Sequence, residues 1–296
     1  MIKIAEDWNH IDAIRESDFI FDSGTSANMI LVNSIHALNQ LVGYLKYLNR
    51  ENSRIYFRGQ TKSFKTLTAN IFRNSKSSSS IGVRNNSIVT YIKGCSKIMT
   101  IVDQLPEYVK EPLLQHYGVK TRWIDLVDNL WIAIWFGLHE YNSKFLEKQY
   151  EFVYQRKDED DYLYIQLLGN DALVQKDGCP GLYTGISTQV IDLRIAAPST
   201  FLRPHCQHAL LMKSKINDTL NDVDLSKYVV LIIKIKVKDG IDWIGNGRLI
   251  TGENIYPSPL YDQGYGIMLE QAPHTKNHAK TFGSIKNISY AVPNCY

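Results

Sequence analysis

Cysteine is scarce in this sequence. The 296 residues include 4 cysteines, which are widely spaced and form no C-x-x-C pair. A secreted scaffold held together by disulfides would be much denser in cysteine. The segment Met1–Asn9 carries acidic residues and has no apolar stretch of the signal-peptide type. We therefore expect free thiols and a cytoplasmic location.

Long apolar runs and an excess of one charge are also missing. The strongest runs, Leu130–Leu138 and Tyr228–Ile235, are far shorter than the roughly 20 residues that span a bilayer, so we expect no membrane partner. Lysine and arginine number 33 against 30 aspartates and glutamates, a net charge of +3. This balance does not by itself indicate nucleic acid, although it leaves room for a local basic patch.

Several catalytic and nucleotide-binding motifs do not occur. There is no G-x-x-x-x-G-K-[ST], no G-x-G-x-x-G and no G-x-S-x-G, which argues against P-loop hydrolysis, Rossmann-type hydride transfer and a nucleophile elbow. Metal-ligand residue types occur in His205-Cys206-x-His208 and in His274-x-x-x-His278. Structural zinc sites use closely paired ligands with two or more cysteines, so we expect no metal.

Hydrophobic periodicity predicts helices in the first half of the chain. Apolar residues recur at helical spacing over 31–49, and residues 88–110 also have a helical pattern. Pro112 is expected to begin a further helix that ends at Gly118. The stretch Asn129–Tyr141 is apolar almost all round and predicts a buried helix. The serine-rich segment 73–87 predicts a mobile loop.

Strands are predicted mainly in the second half. Arg54–Gly59 is an early strand, and the charged segment 147–161 is expected to be a solvated loop. The later candidates are the strands Tyr162–Leu168, Val190–Ile195 and Tyr228–Val237, the turn Gly178–Gly185, and the strand or edge Pro204–Met212. Helices followed by strands favour an α+β fold. We expect an N-terminal extension over 1–30 and a single domain over 31–296.

The first candidate site is Tyr56-Phe-Arg-Gly-Gln60. An arginine at the end of a buried strand has a fixed guanidinium, which can grip two phosphate or carboxylate oxygens. Gly59 would let a ligand approach the backbone closely. The alternative is that Arg58 pairs with a structural aspartate.

The second candidate site is Leu113-Leu-Gln-His-Tyr-Gly-Val-Lys-Thr-Arg-Trp-Ile-Asp125. It places His116, Tyr117 and Thr121 around a predicted helix end. A neutral histidine can bind a ribose hydroxyl, and a tyrosine can stack on a planar ring. Arg122 and Asp125 could instead form an ion pair that braces the turn, so a purely structural helix end stays open.

Taken together, these segments resemble the FRG domain family, which is named after its Phe/Tyr-Arg-Gly motif. The second family motif looks like Gln-His-x-Gly-x-x-Thr-Arg-Leu-Leu-Asp-Trp-Thr and is followed by an alanine-containing helix. Here Trp123, Leu126 and Val127 depart from that pattern. A looser third match is Arg203-Pro-His-Cys-Gln207-His-Ala-Leu-Leu211, and Asn254–Leu260 resembles a final family segment.

The resemblance implies a remote relationship to ADP-ribosyltransferases, in which a split β-sandwich holds NAD in a cleft. The helical N-terminal part would pack against this sandwich. Carried over by position, Arg58 and Gly59 would contact NAD, and Gln207 would take the place of a late-strand glutamate. The implied catalytic residues are Arg58, His116 and Gln207, and the implied cofactor-binding residues are Arg58, Gly59, His116, Tyr117, Thr121, Arg122 and Asp125.

The family context implies a bacterial or phage-associated toxin or effector, with an antitoxin as a further expected partner. Its ADP-ribose acceptor would be a macromolecule, with RNA or DNA preferred over protein. The base in such a transfer is left open, because Gln207 is an amide; the candidates are Asp192, Glu253 and Glu270.

Basic residues with interleaved aromatics would guide single-stranded nucleic acid or simply face solvent: Lys62, Phe64, Lys65, Phe72, Arg73, Lys76, Arg84 and Tyr91. The alternative function is a non-catalytic module that binds a nucleotide or a protein.

Overall fold

A computed structural model describes residues 11, 13–15, 18–142, 150–156, 158, 160–272, 282–285 and 287–290. Its strands are β1 (Ala13–Arg15), β2 (Phe19–Ile20), β3 (Ser26–Val32), β4 (Arg54–Gln60), β5 (Ile124–Val127), β6 (His139–Asn142), β7 (Tyr150–Gln155), β8 (Tyr162–Asn170), β9 (Val174–Gln175), β10 (Leu182–Thr184), β11 (Thr188–Asp192), β12 (Ala209–Ser214), β13 (Val229–Lys236) and β14 (Asn287–Tyr290). Its α-helices are α1 (Ile35–Asn49), α2 (Ser78–Ile98), α3 (Thr100–Asp103), α4 (Glu107–His116), α5 (Leu130–Leu138), α6 (Leu193–Ala196), α7 (Leu202–Cys206), α8 (Leu220–Val223), α9 (Val237–Trp243), α10 (Gly252–Ile255) and α11 (Gln263–Gln271).

The main sheet has 11 strands in the order β1-β3-β13-β8-β4-β5-β12-β11-β10-β9, with β2 paired to β3. Its described pairings are antiparallel except that of β3 with β13, which is parallel. Strands β4 and β8 pair along seven residues, from Arg54 to Gln60. Strands β4 and β5, in contrast, pair only at Phe57 and Val127. The sheet is therefore nearly split at its centre, between β4 and β5.

Two hydrophobic clusters lie on the two faces of this sheet. Alternate residues of a strand point to opposite faces, and accordingly Leu231 and Ile233 belong to one cluster while Ile232 belongs to the other. Helices α1 and α5 contribute to the first cluster. Helices α2 and α4 contribute to the second. Both faces of the sheet are thus covered, which holds β4 rigidly in the interior.

The expected mixture of helices and strands is confirmed, but its order along the chain is different. Strands β3, β4 and β5 of the first half lie inside the main sheet, so strands are not confined to the second half. The expected boundary at residue 30 falls within β3, which pairs with β13. Part of the expected N-terminal extension therefore belongs to the sheet.

Several predicted elements are shifted. Ser77 caps α2 in a reciprocal pair with Ser80, so the serine run begins a helix instead of forming a loop throughout 73–87. Pro112 lies inside α4 and not at its start. The apolar helix ends at Leu138 and continues as strand β6. Within 147–161, the described residues Tyr150–Gln155 form strand β7.

The later elements also differ in detail. The predicted strand Val190–Ile195 ends at Asp192, where α6 begins with an aspartate cap. The segment Pro204–Met212 divides into the end of α7 and the start of β12. Strand β10 lies inside the predicted turn Gly178–Gly185. Among the helices that the structure describes, none has the length and apolar character to cross a membrane.

Candidate functional site

A cleft of about 620 Å³ opens where β4 and β5 separate. This volume lies within the roughly 300–1,000 Å³ typical of small-molecule sites. Five of the residues expected from the sequence line it, namely Arg58, Gly59, His116, Asp125 and Gln207. The structure thus brings together residues from β4, the end of α4, β5 and the turn before β12.

Arg58 bridges the central split of the sheet. Its Nη1 donates a hydrogen bond of 2.7 Å to the backbone carbonyl of Asp125. The pairing of β4 with β5 stops one residue earlier, at Phe57. The arginine side chain therefore makes the cross-strand contact at the point where the backbone ladder has ended, and it does so on the cleft wall.

Gly59 is explained by packing within the protein. A Cβ atom at this position would lie 1.7 Å from the carbonyl oxygen of Ala133 in α5. Real Cβ atoms cannot approach a backbone oxygen so closely, so only glycine lets α5 rest directly on β4. The helix–strand contact is thus one reason for glycine here. Gly59 also lines the cleft, and its role in ligand approach stays a prediction.

Asp125 contributes a carboxyl group to the cleft. Its Oδ1 accepts a 3.0 Å hydrogen bond from Nε2 of Gln115. Burial raises the pKa of this carboxyl above its ordinary value, while the positive charge of Arg58 acts in the opposite direction. Asp125 is the single carboxylate among the described residues that line the cleft.

His116 ends α4 and presents a neutral imidazole to the cleft. Burial, reinforced by the charge of Arg203, lowers its pKa from the usual 6.5 to about 3. Its Nε2 is buried and has no hydrogen-bond partner among the described residues. At neutral pH this ring can therefore donate or accept a hydrogen bond but carries no charge.

Three of the expected site residues lie behind the cleft. Tyr117 is fully buried, and its hydroxyl donates a 2.6 Å hydrogen bond to Asp262. Thr121 donates its hydroxyl hydrogen to Oε1 of Gln115, so it supports Asp125 through Gln115. The alternative that Arg122 pairs with Asp125 is wrong, because Arg122 binds Glu111, with Nε to Oε1 at 3.0 Å.

Gln207 reaches the cleft from the turn that joins α7 to β12. The expected position on a late strand is therefore wrong by two residues, since β12 begins at Ala209. Its side chain is buried, and Nε2 donates a 2.8 Å hydrogen bond to the carbonyl of Ile255. This bond fixes the orientation of the amide in the cleft wall.

The three carboxylates expected as candidate bases lie elsewhere. Asp192 caps α6 and pairs with Arg194 at 2.7 Å. Glu253 and Glu270 are exposed on α10 and α11. None of the three lines the cleft, which leaves Asp125 as the carboxylate available there among the described residues.

Two cations of the cleft were not assigned to it from the sequence. Arg73 and Lys120 both line it. Arg73 belongs to the segment expected to be a loop, and its charge acts on Asp125. Lys120 stands at a variable position of the second motif. The place of Lys120 within that motif was the one available signal for it, whereas the sequence placed Arg73 only in the stripe of basic and aromatic residues. Further polar and aromatic lining comes from Asn70, Asn74, Gln115, Phe136 and Tyr256.

Only some residues of the expected stripe of basic and aromatic residues lie on the protein surface. Phe72 is buried in the core, and Tyr91 stacks on Phe282 with ring centroids 4.5 Å apart. Phe64 remains exposed, as do the neighbouring Lys62 and Lys65. Of the three aromatics, then, Phe64 alone is exposed.

The candidate metal ligands do not form a cluster within the part of the chain that the structure describes. No group of three or more histidine, cysteine, aspartate or glutamate side chains is arranged there to hold an ion. His274 and His278 lie outside the described residues. His208 instead contacts Asp128, with Nδ1 and Oδ1 3.2 Å apart.

Comparison with protein-family models gives one match, to the FRG domain, over residues 53–145. Comparisons with curated proteins and with solved structures give none. The matched segment runs from β4 through α5 and β6, and it includes Arg58, His116 and Asp125 of the cleft but not Gln207. Residues 53–145 therefore match the FRG domain, the family that the sequence motifs resemble.

Proposed function

We propose that the cleft binds NAD and that the protein transfers ADP-ribose to a macromolecule. The observation that carries this proposal is the composition of the cleft wall. Three cations, Arg58, Arg73 and Lys120, lie around a single described carboxylate. A partly enclosed cleft with excess positive charge suits a ligand with a diphosphate group.

The geometry of Arg58 supports a role in binding phosphate. Its guanidinium is held in place by the carbonyl of Asp125, so little side-chain entropy is lost when it binds an anion. Phe136 and Tyr256 supply aromatic surface in the same cleft. Planar rings such as nicotinamide or adenine pack favourably on such surface.

The proposal extends to the fold. A relationship to the split β-sandwich of ADP-ribosyltransferases is consistent with a sheet whose two halves are joined by one residue pair, Phe57 and Val127. The strands β1, β2, β3, β13, β8 and β4 form one half, and β5, β12, β11, β10 and β9 form the other. In this interpretation NAD lies across the split.

The proposed reaction breaks the bond between C1′ of the ribose and the nicotinamide nitrogen. Nicotinamide leaves with the bonding electron pair, and the cationic C1′ accepts a nucleophile from the acceptor. The acceptor loses its proton to a base. Asp125 takes this role in our proposal, because burial raises the pKa of its carboxyl and it lines the cleft. Neutral His116 and the fixed amide of Gln207 orient the ribose by hydrogen bonds.

A nucleic acid is the proposed acceptor, with protein as the second candidate. Lys62, Phe64 and Lys65 are exposed directly after β4, the strand that carries Arg58. Positive charge next to an exposed ring is the combination that holds single-stranded nucleic acid. From the family resemblance we further propose a toxin or effector in anti-phage defence, held in check by an antitoxin.

A non-catalytic binding module is the alternative function. The observation that favours it is the identity of the late residue, since Gln207 is an amide whose Nε2 is already bonded to Ile255. Such a group does not stabilise a ribosyl cation as a carboxylate would. The same cleft would then bind a nucleotide and leave it unchanged.

Nicotinamide release distinguishes the two functions. The protein is incubated with NAD labelled in the adenine ring and with cell extract, and free nicotinamide and labelled macromolecules are measured. Transfer predicts both, and digestion with nuclease or protease then identifies the acceptor. Binding of NAD without release of nicotinamide would refute transfer and support the binding module.

A further inference from the structure

Arg203 is a buried cation beside the cleft. It is the second residue of α7, and 1% of its surface is exposed. The sequence marks it as the arginine of the third motif, but the proposed function gives it no role. It does not line the cleft itself.

Three tyrosine rings surround the Arg203 guanidinium. The central guanidinium carbon lies 4.2 Å from the ring centroid of Tyr265, 4.6 Å from Tyr117 and 5.4 Å from Tyr256. The faces of aromatic rings attract cations, most strongly where water is excluded. In addition, Nη1 donates a 3.3 Å hydrogen bond to the carbonyl of His116.

Two of these contacts connect parts of the cleft that are distant in sequence. His116 ends α4, whereas Tyr256 directly follows α10, and both line the cleft. The backbone of Arg203 is itself fixed, because its N–H donates to Asp262 at 2.9 Å and Tyr117 binds the same carboxylate oxygen. Arg203 therefore lies at a fixed point between the two lining segments.

Hydrophobic packing alone does not account for an arginine at this position. Among the residues that the structure describes, the Arg203 side chain forms no ion pair, and its Nε and Nη2 have no hydrogen-bond partner. Burying a charge in this way costs free energy, and an apolar side chain of similar volume is often neutral or stabilising in such places. The specific contribution of the guanidinium is its simultaneous contact with the His116 carbonyl and the tyrosine rings.

We propose that Arg203 is a positioning residue that fixes the end of α4 and the Tyr256 segment relative to each other and so sets the shape of the cleft. This role of Arg203 rests on the proposed function only for the identity of the ligand, NAD. The positive charge of Arg203 also helps to keep the pKa of His116 low, after the larger effect of burial.

Hydrogen–deuterium exchange of the ligand-free protein tests this role. Arg203→Met keeps most of the side-chain volume but removes the charge and the hydrogen bond. We expect faster exchange confined to residues 113–118 and 254–258. The control is Arg194→Met, since Arg194 is paired with Asp128 and Asp192 outside the cleft. Unchanged exchange in the two segments, or an equal increase throughout the chain, would overturn the proposal.

Two additions keep the test decisive. If Arg203→Met does not fold, Arg203→Lys retains the charge but loses the planar group, and it should show the same local pattern.

Calorimetric titration with NAD should show at least a tenfold weaker affinity for the Arg203 variant and parental affinity for Arg194→Met. Equal affinities of the parent and the Arg203 variant would contradict the positioning role. If the parent itself does not bind NAD, the proposed function fails, while the exchange result still decides the role of Arg203.

Discussion

Nη1 of Arg58 donates its hydrogen to the backbone carbonyl of Asp125 at 2.7 Å, across the place where the central strands separate. This contact makes Arg58 a structural residue that also lines the cleft. One end of the guanidinium joins the two halves of the sheet, and the cleft lies at the same position. The sequence leaves two interpretations of Arg58 open, a structural contact and ligand binding. One side chain can serve both.

Gly59→Ala should strongly destabilise the protein. The new Cβ would lie 1.7 Å from the carbonyl oxygen of Ala133, and neither backbone can yield without separating α5 from β4. We expect a loss of about 3 kcal/mol or more in the free energy of unfolding, as for severe overpacking. Urea denaturation followed by circular dichroism measures it.

Gly82→Ala is the matched control for that experiment. Gly82 lies within α2, and nothing approaches the position of its missing Cβ within 4 Å. Alanine is the better helix former, so this variant should gain about 0.5–1 kcal/mol. A Gly59→Ala protein as stable as the parent would show that α5 does not rest on β4 as described.

Local patterns in the sequence were sufficient for some elements and for part of the site. Helix α1 and strand β4 were predictable. Burial of one face sets the apolar spacing of α1, and burial of β4 accounts for its β-branched and aromatic residues. The serines before α2 were misinterpreted, because Ser77 acts through a reciprocal cap with Ser80 that composition does not reveal. The arrangement of strands was not predictable, since parallel pairing of β3 with β13 joins segments far apart in the chain.

The same limit applies to the site. Arg58, His116 and Asp125 were expected together because motifs carry them, and they do meet in the cleft. Arg122 belongs to the same motif, yet Glu111 binds it away from the cleft. Arg73 lies in the cleft, although the sequence placed it only in the stripe of basic and aromatic residues, because its position depends on how the segment after β4 folds back.

Asp125→Asn should slow transfer strongly but leave NAD binding intact. The asparagine Oδ1 can still accept the hydrogen bond from Gln115, so the cleft should keep its shape while losing its base. We expect kcat for ADP-ribose transfer to fall by about 10²–10⁴-fold, and the NAD affinity to change little. Steady-state kinetics and calorimetry measure the two effects separately.

Glu253→Gln is the control for the carboxylate variant. Glu253 is exposed and lies outside the cleft, so this substitution should leave kcat unchanged. A reduction equal to that in Asp125→Asn would move the base to α10. An unchanged kcat in Asp125→Asn would exclude Asp125 as the base.

The burial of His116 should make stability depend on pH. Its pKa is about 3 in the folded protein and near 6.5 when exposed. Between these values the unfolded chain binds a proton that the folded protein does not, so the free energy of unfolding falls as the pH falls through this window. The slope from one such group is at most about 1.4 kcal/mol per pH unit.

His116→Gln tests this dependence. Urea denaturation between about pH 4.5 and pH 7.5 should show a smaller slope for the variant than for the parent. His139, whose pKa burial lowers to about 4, has the same sign and is present in both proteins, so the difference between them reports His116. Parallel pH curves would mean that the imidazole is accessible to protons in the folded state.

Calorimetric titration of NAD into the parent protein and two arginine variants tests the central claim most directly. Arg58→Met removes the cleft guanidinium, at a cost of about 1.5–3 kcal/mol in stability for the lost hydrogen bond from a charged group. Arg54→Met changes an exposed arginine at the other end of β4, outside the cleft. We predict that the parent and Arg54→Met bind NAD with equal affinity and that folded Arg58→Met binds at least tenfold more weakly. Equal binding by all three proteins, or no binding by the parent, would contradict the account.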